Sequence, residues 1–365
     1  MEIYLVGGAV RDELLGREIK EKDWVVVGAT PEQMLRLGYR QVGKDFPVFL
    51  HPHTNEEYAL ARTERKIGRG YTSFEFDTSP QVTLEEDLIR RDLTINAVAQ
   101  NQSTKEIFDP YHGQEDLKNK LLRHVSAAFV EDPVRILRVA RFAARFAELG
   151  FTVASETNEL MKQMVKLGEV DALVAERVWK ELERGLAEKN PEQFFQTLAD
   201  CGALAVLFPA IKISGNGMQA LLRAVKLTTD SPVRFAVLLH DLTAIEIEKI
   251  SQRYRVPSDY RELALLVARH FEQYKNIMQK EASLIVKFFR ELDVFRREQR
   301  AQKFILACQA IIPDEKVAVA FNAYLIAAKS IDTQKITAKF KGKEIAEQID
   351  LARTCEIEKI QRAFL

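Results

Sequence analysis

The spacing of apolar residues changes near Glu131, and this change restricts the folds that the chain can adopt. Over the first ~120 residues, short β-rich runs such as DWVVVG and EYALAR alternate with helical patterns, as in a mixed sheet flanked by helices. From Glu131 onward, segments such as RILRVARFAARFAELG place apolar residues at helical spacing, with few β-rich runs between them. The sequence therefore predicts an α+β head followed by an all-helical remainder.

Within this outline we predict three regions, residues 1–125, 126–210 and 211–365. The best candidate linker is the segment 211–219, IKISGNGMQ, because it contains two glycines, a serine and an asparagine after a Phe-Pro stop. No feature of the sequence indicates an oligomeric state.

The overall charge favours no class of partner. Lys and Arg together number 53, as do Asp and Glu, so the formal net charge is zero, and any contact with nucleic acid requires a local basic surface. The three cysteines are widely spaced and form no C-x-x-C pair, which argues against disulfides and a zinc site. No signal-peptide core or membrane-length apolar run is present. We therefore expect a cytoplasmic protein without a membrane partner.

Two acidic residues, Glu21 and Asp23, lead into the apolar run Trp24–Val27. Alternate residues of a strand share a face, so we expect the two carboxylates to lie side by side. Such a pair suits Mg²⁺, which binds oxygen ligands and often takes one or two carboxylates together with substrate phosphates. Taken alone, the pair is also typical of a solvated strand edge.

The dipeptide Gly7-Gly8 follows an apolar run and precedes a predicted helix, with Arg11 close behind. A glycine turn there can bring backbone N–H groups against a phosphate. The G-x-G-x-x-G spacing of dinucleotide sites is absent, and an ordinary tight turn is the competing interpretation.

Arginines recur in two further segments. Arg90-Arg91-Asp92 is predicted to open a helical stretch whose guanidinium groups could hold a triphosphate or a sugar hydroxyl. Downstream, four arginines share one helix face, an arrangement we call the arginine row: Arg135, Arg138, Arg141 and Arg145. Like charges at this spacing are unfavourable unless they are neutralised, and we favour an anionic ligand over a structural ion-pair network.

Asp132 and Arg135 are spaced so that one acceptor and one fork of donors could meet a single nucleobase edge. The segment between Lys66 and Thr83 contains Gly68, Gly70 and charges of both signs. It is compatible with either a plain surface loop or a moving flap.

In this order the motifs resemble those of the class II tRNA nucleotidyltransferases, the bacterial CCA-adding enzymes. Their catalytic head has the polymerase-β-like nucleotidyltransferase fold, followed by a helical neck, body and tail. The resemblance covers about residues 1 to 210 and rests on these segments: Gly7–Asp12 with Glu21-x-Asp23, Arg90–Ala97, Glu131–Phe142 and Glu176–Glu181.

The resemblance implies a function, Mg-dependent addition of CCA to the tRNA 3′ end from CTP and ATP without a nucleic-acid template. It implies that Glu21 and Asp23 bind Mg²⁺ and act in catalysis, and that Asp132 and Arg135 serve as a protein template for the base. It also implies further nucleotide contacts, which are Gly8, Arg11, Arg91, Arg138 and Arg141. Residues 67–82 would correspond to the flexible loop of the family.

The sequence departs from the family pattern at two places. The first metal carboxylate is more often Asp, whereas this chain has Glu21. Long family members carry a phosphohydrolase domain with a His…His-Asp…Asp pattern, of which only His240-Asp241 is present here. A His-Asp pair needs more ligands to hold a transition metal, so we predict a degenerate domain without phosphohydrolase activity, whose helices contact tRNA.

Other functions remain open on the sequence alone. A CC-adding enzyme or a poly(A) polymerase would share the catalytic head, although the C-terminus lacks the basic tail typical of the polymerase. From a different class, the chain could be an inactive RNA-binding module. Such a module should have lost a metal carboxylate or the arginine row, and both are present.

Overall fold

The computed structural model describes residues 1–42, 48–66 and 74–364, with side chains omitted at 64–66, 74–76 and 364. The chain divides into two compact units, Met1–Leu207 and Phe208–Leu365. None of the helices in the described part is long and apolar enough to cross a membrane.

The first unit is built on a mixed sheet. The strands of this unit are β1 (Glu2–Val6), β2 (Asp23–Val27), β3 (Arg40–Gln41), β4 (Val48–Leu50), β5 (Glu57–Leu60), β6 (Thr63–Lys66), β7 (Phe74–Asp77), β8 (Ala99–Asn101), β9 (Ile107–Phe108), β10 (Leu121–Leu122) and β11 (Thr152–Val153). The strand order in the mixed sheet is β3-β4-β5-β2-β1-β8-β9. Strand β2 runs antiparallel to β1 and parallel to β5. Strands β6 and β7 form a separate antiparallel pair, and β10 and β11 a parallel one.

Both faces of the central strands are buried. Leu5 and Trp24 pack into one core cluster, whereas the next residue on each strand, Val6 and Val25, packs into another. This alternation follows from the period of two in a strand. It explains why β2 reads as a nearly continuous apolar run after its first residue, Asp23.

The helices of the first unit follow the predicted periodicity. They are α1 (Gly8–Leu14), α2 (Pro31–Arg36), α3 (Leu84–Ile89), α4 (Gly113–Asn119), α5 (Val134–Phe146), α6 (Ser155–Lys166), α7 (Ala175–Ala187), α8 (Pro191–Asp200) and α9 (Ala203–Leu207). A capping box starts α3, since Thr83 and Glu86 bond each other's backbone N–H groups. Helix α5 is buried on most sides and packs against α7 and α8.

In the described residues the second unit is helical. Its helices are α10 (Asn216–Leu227), α11 (Ser231–Leu238), α12 (Ala244–Tyr254), α13 (Ser258–Lys275), α14 (Ala282–Glu291), α15 (Glu298–Ile311), α16 (Glu315–Lys329), α17 (Thr333–Thr337) and α18 (Lys343–Phe364). Its core contains a group of aromatic rings in mutual contact, among them Tyr274, Phe288, Phe289, Phe304 and Phe321.

Two local predictions were wrong. Glu21 precedes β2 rather than lying on it, because the strand begins at Asp23. Arg90 and Arg91 follow α3 instead of opening a helix, and only a short 3₁₀ turn occurs at Thr94–Asn96. Of the segment 67–82, residues 67–73 lie outside the described residues, and Phe74–Asp77 forms β7, which pairs with β6.

Candidate active site

The end of β1 lies beside the start of β2, because Val6 pairs with Asp23 in the antiparallel register. The turn at Gly7-Gly8 follows directly. Gly7 has a φ of 66°, and a Cβ added there would lie 2.9 Å from Nη1 of Arg91. Glycine therefore provides both the left-handed backbone of the turn and the space in which Arg91 approaches it.

Asp23 faces the side of the sheet on which α3 packs. Alternate residues of β2 share a face, so Asp23 lies on the side of Val25, whose core cluster includes Leu84 and Leu88 of α3. Arg91 comes two residues after the end of that helix. The packing of α3 thus brings a guanidinium group to the acidic strand terminus.

The residues Glu21 and Asp23 form what we call the acidic edge. Burial raises the pKa of Asp23, Arg91 opposes this shift, and Glu21 adds to it. The side chain of Asp23 nevertheless remains exposed. A cation bound at Asp23 would favour the ionised carboxylate that burial disfavours. This oxygen donor set fits a hard divalent cation.

Asp87 holds the two arginines that follow α3. Its fully buried carboxylate accepts from Nη2 of Arg90 at 2.5 Å and from Nη2 of Arg91 at 3.0 Å. Burial would raise the pKa of Asp87, but the two arginines lower it overall. Asp87 was not among the predicted site residues, although an acid three and four positions before two arginines is a recognisable helical pattern.

A continuous chain of hydrogen bonds connects α1 to α5. Nε and Nη2 of Arg11 donate to Asp12, and its Nη1 donates to Oδ1 of Asn96 at 2.6 Å. The Asn96 amide donates to Oδ1 of Asp92 at 2.9 Å, and Nε of Arg138 donates to Oδ2 of Asp92 at 2.7 Å. The chain couples the glycine-turn helix to the arginine row.

Asp92 is the ionised centre of this chain. Its burial would raise the pKa, but Arg138, the Asn96 amide and the Leu93 N–H hold the pKa of Asp92 well below its usual range. In return, Asp92 raises the pKa of Arg138. Both groups are therefore charged at neutral pH.

The resemblance implies that Arg11 contacts the triphosphate directly. In the structure Arg11 lies behind the glycine turn instead. It is buried, with 3% of its surface exposed, and its guanidinium carbon lies about 5 Å from the ring centres of Phe142 and Phe146. In this structure its visible contribution is to support the turn.

Every member of the arginine row has a partner inside the protein. Arg135 donates to the carbonyl oxygens of Ala128 and Arg90. The partners of the remaining members are Asp92 for Arg138, Glu181 for Arg141 and Asp12 for Arg145. An anionic ligand is therefore not needed to neutralise most of the row, contrary to the prediction, because carboxylates of the protein pair with three of its four arginines.

Asp132 is paired with Arg177 of α7. Nη1 of Arg177 donates to Oδ1 at 2.9 Å, and Nη2 donates to Oδ2 at 2.7 Å. Arg135, the predicted companion of Asp132 in base reading, is buried and bonded to backbone carbonyls instead. Arg177 lies in the Glu176–Glu181 motif but was not among the predicted site residues.

The second unit contains the predicted remnant His240-Asp241. Nδ1 of His240 bonds the Val237 carbonyl at 2.8 Å, and His270 bonds Gln273 at 3.1 Å. Among the described residues, no group of three or more His, Cys, Asp or Glu side chains could hold a metal ion.

Comparison with protein families identifies the class. Residues 3–123 match the Poly A polymerase head domain. Residues 150–213 match the family described as Probable RNA and SrmB- binding site of polymerase A. The head that carries the acidic edge is thus a nucleotidyltransferase domain, and the predicted fold class is confirmed.

Relatives narrow the class to one family. The CCA-adding enzyme of Coxiella burnetii is 50% identical over 355 residues, covering 97% of this chain and 94% of that protein. The Multifunctional CCA protein of Alkalilimnicola ehrlichii is 47% identical over 408 residues, covering 100% and 98%. The chain belongs to the CCA-adding enzymes, which confirms the resemblance seen in its motifs. Enzymes of this family are generally metal-dependent.

The same fold occurs in the solved Thermotoga maritima CCA-adding enzyme complexed with tRNA. The TM-score is 0.73 at 22% sequence identity, covering 100% of this chain and 92% of that one.

Proposed function

We propose that this chain completes the 3′ end of tRNA by adding C, C and A from CTP and ATP, without a nucleic-acid template, in the cytoplasm. The observation that carries the proposal is the 50% identity to a CCA-adding enzyme over 97% of the chain. A tRNA partner is supported by the Thermotoga maritima enzyme of the same fold, whose structure includes tRNA.

We assign Mg²⁺ to the acidic edge, held by carboxylate oxygens of Glu21 and Asp23. Burial is the main cause of the raised pKa of Asp23, and a bound cation would offset that cost of ionisation. When bound, Mg²⁺ stabilises negative charge on the reacting phosphate oxygens. The chain's own contribution is to hold two carboxylates beside the glycine turn.

The triphosphate would lie against Gly8 and Arg91, with Arg138 and Arg141 behind it. The tRNA 3′-hydroxyl forms a bond to the α-phosphorus while pyrophosphate leaves with added negative charge. Arg91, at the turn, is placed to offset that charge. Arg11 and Asn96 keep the turn in place, since their hydrogen bond joins α1 to the Asp92 network.

Base selection would fall to Asp132 and Arg135. Cytosine and adenine each present an amino group next to a ring nitrogen acceptor on the pairing edge, whereas uracil and guanine present a carbonyl oxygen where the amino group stands. A carboxylate accepts from the amino group and a guanidinium donates to the ring nitrogen. Arg135 must first leave the carbonyls of Ala128 and Arg90, so base binding would require its side chain to move.

We retain the three-region division as part of this proposal: a catalytic head at 1–125, a neck with the base-reading helix at 126–210, and a tRNA-binding body at 211–365. Phosphohydrolase activity is expected to be absent. Its test is hydrolysis of phosphomonoester and cyclic phosphodiester substrates with added divalent metals, where metal-dependent turnover would contradict the expectation.

A single incubation tests the main proposal. The protein is mixed with tRNA lacking its CCA end, CTP and ATP, and the product is sized and sequenced. Addition of C, C and A supports the proposal. Addition of two C residues alone would identify a CC-adding enzyme, a long A tail a poly(A) polymerase, and tRNA binding without extension an inactive binding module.

A further inference from the structure

The carboxylate of Asp132 is held from two directions. It stands between the 3₁₀ turn Ala127–Glu131 and α5, where the backbone N–H of Val134 donates to Oδ1 at 3.2 Å. From α7, the Arg177 fork spans both oxygens, at 2.9 Å to Oδ1 and 2.7 Å to Oδ2. Rotation of the carboxylate plane would break both bonds of the fork.

The remaining hydrogen-bonding capacity of Asp132 is concentrated on one oxygen. An ionised carboxylate offers about four lone-pair sites. Among the described residues, Oδ1 accepts from both Val134 and Arg177, whereas Oδ2 accepts from Arg177 alone. The side chains of Asp132 and Arg177 are 20% and 27% exposed, so the pair is not sealed from solvent, and Oδ2 is the oxygen with the larger remaining capacity to accept.

Arg177 lies on α7, a helix that is packed against its neighbours. The two residues after it, Val178 and Trp179, are buried, and α7 packs along α5. One turn later, Glu181 of the same helix bonds Arg141 at 2.6 Å. Helix α7 is therefore joined to the α5 region by two ion pairs. One is to Asp132, just before α5 begins, and the other is to Arg141, within the arginine row.

We propose that Arg177 is a positioning residue for nucleobase selection. It holds Asp132 in the orientation in which Oδ2 accepts from the amino group of cytosine or adenine and repels the carbonyl oxygen of uracil or guanine. The proposal deepens the function proposed above and rests on the base-reading role assigned there to Asp132.

The test compares CTP with UTP on tRNA lacking CCA, as the ratio of their kcat/KM values. Arg177→Ala should lower this ratio by about tenfold to a hundredfold, the value of one oriented hydrogen-bonding pair. Arg177→Lys, which offers a point charge instead of a fork, should fall between wild type and Arg177→Ala. The matched control is Arg184→Ala, an exposed arginine of the same helix, which should leave the ratio unchanged.

Two further measurements separate orientation from simple structural support. Millimolar guanidinium added to Arg177→Ala should restore part of the CTP preference, because the missing fork is supplied in solution. In an Asp132→Ala background, Arg177→Ala should lower the ratio no further. A loss of stability with an unchanged ratio, or an additional fall of the ratio in that background, would overturn the proposal.

The outcome also distinguishes this inference from the function on which it rests. If Asp132→Ala loses the CTP preference and Arg177→Ala keeps it, the role of Arg177 is wrong and the template role of Asp132 stands. If Asp132→Ala keeps the preference, the template role itself fails, and the inference fails with it.

Discussion

The acidic edge and the arginine row both crowd like charges, and the first unit treats them in opposite ways. At the edge, burial and Glu21 outweigh Arg91 and raise the pKa of Asp23. In the row, carboxylates from other elements meet the arginines, and the pKa of Asp92 falls well below its usual range because its partners outweigh its burial. At the edge the burial of Asp23 is not fully offset, whereas in the row three of the four arginines meet carboxylates of the protein.

A row of like charges in a sequence therefore does not by itself indicate a ligand. Burial disfavours the charge of the Asp23 carboxylate, so removing that charge should affect activity more than stability. Arginines that already have buried partners are part of the packed structure, and removing a partner leaves an uncompensated charge. The following substitutions test this division.

The largest effect is expected at the edge. Asp23→Asn keeps the shape of the side chain but removes a charged metal ligand, so CCA addition should fall by about a thousandfold or more. The folded state should lose no stability, since the raised pKa shows that the charge of Asp23 is disfavoured there. Rates are measured by CTP incorporation and tRNA affinity by filter binding, with Glu106→Gln as an exposed control. Retained activity would refute the metal assignment.

The second-largest effect is expected in the arginine row, as a loss of folding stability. Glu181→Gln leaves the buried Arg141 without its counter-charge, their side chains being 6% and 7% exposed, and should lower the free energy of unfolding by about 3 kcal/mol. Urea unfolding followed by tryptophan fluorescence measures the change, since Trp179 lies on the same helix. The control Glu159→Gln weakens an exposed pair with Lys162 and should leave the free energy of unfolding nearly unchanged. Equal losses in both variants would show that burial does not decide the effect.

Asp92→Asn should cause a smaller, pH-dependent loss of folding stability. It breaks the pair with Arg138, which is 35% exposed, so we expect a loss of about 2 kcal/mol, below the value for a fully buried pair. Because the folded-state pKa of Asp92 is lowered, its stabilisation is full above the unfolded pKa of about 3.9 and is lost as the pH falls further.

The difference in unfolding free energy between wild type and Asp92→Asn should therefore be constant from neutral pH to about pH 5 and narrow below about pH 4. Urea titrations over this range measure it. A difference that grows on acidification would contradict the assigned sign.

The smallest effect is expected when Glu21 is replaced by the Asp more usual in the family. Glu21→Asp retains the oxygen ligand and shortens the side chain by one methylene, so the Mg²⁺ concentration for half-maximal activity should change by less than about tenfold. tRNA affinity should be unchanged. A loss as large as that of Asp23→Asn would show that the longer side chain is required at this position.

Local features of the site followed from the sequence, whereas its connections did not. The glycine turn, the apolar run of β2 and the four arginines on one face of α5 depend on neighbours in the chain and on the period of each element. Even Asp87 could have been found, because it lies three and four positions before its two arginines. The start of β2 was misplaced because a strand ends where its pairing ends, and pairing is not local.

The family, the order of sheet and helices, and the chemical types of side chain available for catalysis followed from the amino-acid sequence alone. Which charged side chains meet depended on the tertiary fold. Asp92 pairs with Arg138 across 46 positions, Arg141 with Glu181 across 40, and Asp132 with Arg177 across 45. These partners lie on separate elements that approach each other when apolar surfaces pack, and short-range charge interactions become strong only in the buried geometry that results.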